Sequence, residues 1–259
     1  MDQRHGVHGN ALAPAGIAQL LGGGGFDIHR PGCQLQVGGD VVAHGGDMGR
    51  QIFGPQTMGR GGIERLIQAD LSPAMAAQAR TTGVSGMPVL AADEEFLPFG
   101  EATFDAVLSN LSLHWVNDLP GALLHMRNAL ANKGLMIASI VGAGSLPQLR
   151  KAILAAEPDR PAARMHPLVD NQAASALLQR ALFKRQVVDS RTLTASFGSL
   201  DRLVSDLRDQ GLGSALANPP PALDKAAKAR AGAAFLDTAN DQGRVLEIFE
   251  ILTLTGWKN

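Results

Sequence analysis

A chain of 259 residues is long enough for one large α/β domain, or for one domain with a small appendage. Apolar residues at 45% and charged residues at 18% describe an ordinary soluble globular composition, and a formal charge of −1 gives no electrostatic case for nucleic-acid or membrane-surface partners. One cysteine, Cys33, excludes an intrachain disulfide and a cysteine-built zinc cage, and no run approaches the ~18 apolar residues of a membrane span.

The first sixty residues differ from the rest. Of 30 glycines, 17 lie in residues 1–62, and no lysine precedes Lys133. Gly22 to Gly25 form an unbroken glycine run, costly to order because glycine loses the most backbone entropy. Apolar periodicity is weak there, apart from Leu35-Gln36-Val37 and Val41-Val42-Ala43. Residues 1–60 read either as a poorly ordered glycine-rich leader or as the product of a damaged coding frame. Pro14 and Gly16 interrupt the mildly apolar piece Ala11 to Leu21, so a signal peptide is not expected and an intracellular protein is.

From residue 61 to residue 259 the pattern is regular. Ile63 to Asp70 reads as a strand ending in a carboxylate, and Ser72-Pro73 supplies an N-cap and a first helical residue for Ala74 to Arg80. Met87 to Ala92 is a short strand ending at Asp93, and Phe104 to Leu113 is a buried one. Asp118 caps a helix whose apolar face carries Leu123, Leu124, Met126, Ala129 and Leu130. Asn132-Lys133-Gly134 closes that helix, and Gly134 to Val141 is a further buried strand. Ser145-Leu146-Pro147 opens the helix Gln148 to Glu157. Alternation at these lengths predicts right-handed βαβ units and a mostly parallel sheet.

The last third is less even. Helices are expected at Asn171 to Phe183, Leu200 to Leu207 and Ala222 to Leu236, with a strand near Gln186 to Asp189. Pro219-Pro220-Pro221 makes Gly211 to Leu223 a loop, so that about 211–236 forms a loop and helical cap. Val245 to Trp257 alternates apolar and polar residues, as a late antiparallel strand would.

Asp70, at a strand tip, can accept both hydroxyls of a ribose, and it is equally placed to cap a helix. Asp93, at the next strand tip, extends this to a nucleoside pocket in which an acidic loop meets an adenine amino group between Leu71 and Met75. The glycine-rich turn of such a fold would fall at Val41 to Gly49, where Gly45 and Gly49 are the candidates, without a clean G-x-G-x-x-G. His114 ends the buried strand and reads as a general base or as a strand cap packed on Trp115. No H-x-D pair, H-E-x-x-H, cysteine cluster or G-x-S-x-G elbow occurs, so neither a metal site nor a serine nucleophile is expected.

Leu66 to Met75 resembles the second conserved block of class I S-adenosylmethionine-dependent methyltransferases. Leu97-Pro98-Phe99, Phe104 to Val107 and Ser109 to Trp115 are similar to the fourth block of their type 11 group. Leu130 to Leu135 resembles the helix-to-strand turn that follows it. Leu113 to Pro120 resembles two subfamilies: the malonyl-carrier-protein O-methyltransferase of biotin synthesis and the factor that assists assembly of respiratory complex I. Asp206 to Gly211 and Leu254 to Lys258 favour the second.

The resemblance implies an α/β, Rossmann-like class I methyltransferase fold with a mostly parallel sheet, a late antiparallel strand and a small helical insertion. It implies S-adenosyl-L-methionine as cofactor, with Asp70 at the ribose, Asp93 and Glu94 at adenine, and Asn110 and Leu111 at the methionine end. It implies a protein or carrier-protein acceptor, with a respiratory complex I subunit among the candidates, in the bacterial cytoplasm or the mitochondrial matrix. A non-catalytic or hydroxylase-type assembly factor on the same fold is the alternative. The first block departs from the family: Ala43 stands where an acid is expected and Asp47 where the middle glycine is expected. A side chain in that turn obstructs the approach of backbone N–H groups to the cofactor.

Overall fold

The computed structural model describes residues 39–44, 63–82, 88–159, 161–209, 216 and 218–259. In chain order these give β1 (Gly39–His44), β2 (Ile63–Asp70), α1 (Pro73–Thr82), β3 (Val89–Ala91), β4 (Phe104–Asn110), α2 (Leu119–Ala129) and β5 (Leu130–Val141). Then follow α3 (Pro147–Ala156), α4 (Asn171–Arg180), β6 (Lys184–Phe197), α5 (Leu200–Asp209), α6 (Lys225–Leu236) and β7 (Val245–Trp257). Seven described strands form one sheet in the order β3-β2-β1-β4-β5-β7-β6. The first five are parallel to their neighbours and β7 is antiparallel to β5, pairing Leu135 with Trp257 and Val141 with Ile251. This is the expected doubly wound α/β sheet with a late antiparallel strand. Among the described residues no helix is long and apolar enough to cross a membrane.

β1 lies inside the stretch that composition set apart, and it takes the centre of the sheet. Val41 pairs with Leu66 of β2 on one side and Ala106 of β4 on the other. The strand order turns back between β1 and β4, so the crevice of an open parallel sheet falls at the C-terminal ends of these strands. His44, Asp70, Ala91 and Asn110 end β1 to β4 along that edge.

The chain divides into two compact units. One takes the described residues up to Val141, with Val169–Ser190 and Ile251–Asn259. Its core gathers Phe104, Val107, Leu123, Met126, Met136, Ile140, Leu178, Phe183 and Leu252, all almost fully buried. A parallel strand is covered on both faces, which is why FDAVLSN reads as a nearly continuous apolar run rather than an alternation. Asp118 caps α2 as expected, its Oδ1 accepting the Gly121 N–H at 2.9 Å. Leu123 and Met126 are buried by that helix and Leu124 is exposed. The other unit takes Gly142–Leu168 and Arg191–Glu250. Its core joins α3, α5 and α6 through Leu149, Ala152, Leu203, Leu207, Ala231 and Phe235.

β4 stops at Asn110 rather than Leu113, so His114 falls in a turn beyond the strand, and α4 stops at Arg180 rather than Phe183. Two elements depart further from their expected bounds. β5 begins at Leu130, before the Asn132-Lys133-Gly134 stop, because Leu130 pairs with Phe104 and the ladder resumes at Ala106 and Leu135. The intervening residues bulge, with Lys133 at φ 66°, and a Cβ on Gly134 would lie 2.8 Å from the Ala131 carbonyl. Lys258 closes the same turn by donating from Nζ to the carbonyls of Asn128 (3.0 Å) and Leu130 (2.6 Å). β6 runs for 14 residues where four were expected, since an outermost strand is exposed along most of its length and carries little apolar patterning.

Candidate functional site

The last residue of β2 is Asp70, half-buried at the strand tip. Its Oδ1 accepts the Ser72 N–H at 2.8 Å, and its carbonyl accepts the Ala92 N–H at 3.0 Å, which ties the ends of β2 and β3 together. Ser72 Oγ in turn accepts the Met75 N–H at 3.4 Å, so the serine caps α1 as its position predicts. Leu71, which follows Asp70, is 61% exposed, and Met75 in α1 is half-buried.

Beyond β3, Asp93 Oδ1 accepts the Glu95 N–H at 2.8 Å and folds Glu94–Phe96 into a single tight turn. That turn pulls Glu94 inward until only 6% of it is exposed. Burial pushes its carboxyl above the usual range; hydrogen bonds from its own backbone and from the Ser112 hydroxyl oppose this, and the negative Asp70 and Asp93 add to it. Asp70, Asp93 and Glu94 therefore share one electrostatic neighbourhood. Glu95 Oε1 accepts from both the backbone N–H and the side-chain amide of Asn117, pinning the turn to the segment that follows β4.

The raised carboxyl carries a pH signature. An acid that holds its proton more tightly when folded contributes stability that is complete below its unfolded value, near 4.5, and is lost as pH rises through the folded value. Glu94→Gln removes this titration. Thermal unfolding followed from about pH 4 to about pH 8 is expected to show the variant gaining on the native chain as pH rises, with parallel curves counting against a buried Glu94.

At the tip of β4, Asn110 is the last residue in register with β5, opposite Ser139. Leu111 then leaves the strand in the left-handed region, at φ 52°. Its N–H donates to the carbonyl of Ser139 at 2.9 Å and to the hydroxyl at 3.2 Å, and that hydroxyl donates to Asn110 Oδ1. Ser109 and Ser112 hydroxyls share a hydrogen bond at 2.9 Å. His114 sits in the turn Leu113–Trp115, 7% exposed, with its ring centroid 4.8 Å from that of Trp115 and a 45° tilt.

Asp70, Asp93, Glu94, Asn110 and Leu111 thus come to one edge of the sheet, with His114 buried one turn beyond. Gly45 and Gly49 lie outside the described residues. Sequence reasoning missed Ser109, Ser112 and Ser139. Ser139 is a small polar residue inside the apolar run GLMIASIV, and its only visible signal is that polar interruption. Among the described residues no group of three or more His, Cys, Asp and Glu is placed to hold a metal ion.

The donor and acceptor chemistry fits a nucleoside. Ribose hydroxyls and an adenine amino group are donors, and the edge offers a carboxylate at the tip of β2 and others just beyond β3.

A methyltransferase domain model matches residues 49–138. The chain is 34% identical over 200 residues to the mitochondrial arginine-hydroxylase NDUFAF5 of Danio rerio, which covers 76% of this chain and 62% of that protein. It is 27% identical over 182 residues to a malonyl-[acyl-carrier protein] O-methyltransferase of Xylella fastidiosa, covering 70% and 61%. The chain thus spans less than two thirds of the length of these curated relatives. Among solved structures, the Haemonchus contortus phosphoethanolamine N-methyltransferase 2, bound to phosphomonomethylethanolamine and S-adenosylhomocysteine, superposes with a TM-score of 0.53 at 15% identity, covering 96% of this chain and 54% of that one. Over residues 49–138 the chain matches a methyltransferase domain, and its described strands and helices follow the methyltransferase fold.

Proposed function

We propose that this chain is an S-adenosylmethionine-dependent methyltransferase that acts on a protein or carrier-bound acceptor, in the manner of the complex I assembly factors it resembles. The observation that carries this reading is the carboxylate of Asp70 at the tip of β2, held by the Ser72 N–H beside Asp93 and Glu94. Asp70 would hold the ribose hydroxyls, Asp93 and Glu94 the adenine amino group, and Leu71 and Met75 the faces of the ring. Asn110 and Leu111 would line the methionine end, and Gly45 and Gly49 are the sequence candidates for the family's glycine-rich block. The bound cofactor supplies an electrophilic methyl group. The protein's part is chiefly to bring two reactants into line, which needs few catalytic side chains. His114 is the candidate base for the acceptor.

The relatives suggest the acceptor classes: one is a malonyl-[acyl-carrier protein] O-methyltransferase and the other a mitochondrial arginine-hydroxylase. A second reading, a hydroxylase or a binding-only assembly factor, is favoured by the hydroxylase relative and by Ala43 and Asp47 in the glycine turn. Mass spectrometry separates the two, on acceptors incubated with the chain and S-adenosylmethionine and, in parallel, on acceptors incubated with the chain, dioxygen and a reductant. Gain of a methyl group on malonyl-carrier protein or on a complex I subunit supports the methyltransferase, and gain of an oxygen on arginine overturns it.

A further inference from the structure

β6 (Lys184–Phe197) is the outermost of the described strands and runs for 14 residues. Val187 is 46% exposed, and Asp189, Ser190, Arg191 and Thr192 are exposed in succession. Successive side chains of a strand point to opposite faces, so neither face is covered over these four residues. A long, exposed edge strand presents backbone N–H and C=O groups that template pairing with another strand, and proteins blunt such edges with proline, a bend or charge. β6 holds no proline, and its one left-handed residue, Arg185 at φ 48°, stands near its start. Beyond Arg185 its only charged residues are Asp189 and Arg191, of opposite sign and two positions apart, hence on one face. Charges so spaced do not repel a second copy of the same strand; they match it.

Two copies paired antiparallel, edge to edge, about a two-fold axis at Ser190 set Asp189 of each opposite Arg191 of the other. The same register sets Val187 opposite Leu193, Val188 opposite Thr192 and Gln186 opposite Thr194, each twice. Directly opposed side chains lie about 4.5–5.5 Å apart, where opposite charges and apolar pairs stabilise a ladder and like charges destabilise it. Lys184 and Arg185 fall opposite Ser196 and Ala195, so no like charges face each other. Both copies present the same edge, so the axis moves only by whole residues. One step either way sets Asp189 opposite Asp189, or Arg191 opposite Arg191. Charge thus selects one register, and the pairing asks nothing of the Ser190 side chain. We propose that β6 is a self-association edge, through which two copies of this chain join their sheets across a two-fold axis at Ser190. This goes beyond the cofactor reading and does not depend on it.

The test is sedimentation equilibrium of the full chain with paired charge reversals. The native chain is expected to sediment at twice the mass of one chain at about 100 µM, a concentration suited to a small interface. Asp189→Arg sets arginine opposite arginine and Arg191→Asp sets aspartate opposite aspartate, so each variant alone is expected to dimerise at least about tenfold more weakly. Mixed in equal amounts, the two variants offer each other opposite charges at both positions, and the dimer is expected to return to within about threefold of native affinity. Both positions are exposed, so each variant is expected to keep its fold, and rescue in the mixture excludes misfolding as the cause of the loss. A native chain that stays monomeric at about 100 µM would overturn the proposal. Single variants that dimerise like the native chain would overturn it by placing the interface elsewhere. A mixture that stays monomeric would overturn the pairing about Ser190.

Discussion

Replacing Asp70 with alanine is expected to weaken S-adenosylmethionine binding about 10- to 100-fold, about 1–3 kcal/mol. Two ribose hydroxyls would lose a charged acceptor while remaining inside the site, and water cannot restore the geometry that the Ser72 N–H gives the carboxylate. Asp70→Asn keeps one acceptor oxygen and should fall between the two. Stability is expected to change little, since Asp70 is half-buried and its one side-chain hydrogen bond is local. Calorimetric affinity, read beside the thermal midpoint, checks both parts. A chain that folds normally and binds as before would remove Asp70 from the ribose.

The largest effect on stability is expected at Glu247. It lies in β7 with no exposed surface, and its carboxylate accepts from Leu149 N (2.8 Å), Ile248 N (3.1 Å) and Gln148 N (3.3 Å). α3 begins with Pro147, preceded by Leu146 at φ 56°, and has no capping side chain of its own. Its first free N–H groups are therefore satisfied from another strand, and the helix dipole favours the negative charge placed there. Glu247→Ala leaves buried donors unpaired and is expected to cost about 2–4 kcal/mol. Glu247→Gln retains one acceptor but turns an NH2 group toward a second donor, and should cost roughly half as much. Urea unfolding measures both. A loss below about 0.5 kcal/mol for the alanine variant would show that the helix end finds other partners.

Much of the fold was legible because apolar runs and capping residues marked the elements. Ile63–Asp70 and Val245–Trp257 begin and end where their patterns predict, and Asp118 caps where it was expected to. The edge strand β6 was legible only in part, because exposed positions impose no periodicity on the sequence. The bulge at Lys133 was hidden for a different reason: Asn-Lys-Gly after a helix signals a stop, whether the chain leaves the sheet or is already in it. β1 left only Val41-Val42-Ala43 as a trace among glycines, yet pairing on both sides gives it the central position.

The candidate site was legible where carboxylates end strands. Asp70 and Asp93 stand out in the sequence as carboxylates closing two predicted strands. Burial of Glu94 does not, since it follows from the turn that Asp93 folds. Ser112 lies inside the block Ser109 to Trp115 and Ser139 belongs to no motif, but the contacts of both span 18 and 28 or more residues of chain, which no local pattern encodes.

Direct titration of the full chain with S-adenosylmethionine tests the central claim. Saturable one-to-one heat, lost or weakened in Asp70→Ala and displaced by S-adenosylhomocysteine, is the result expected of a methyltransferase site along the tips of β2, β3 and β4. A folded chain that gives no heat at about millimolar cofactor, the weak end of specific binding, would contradict it.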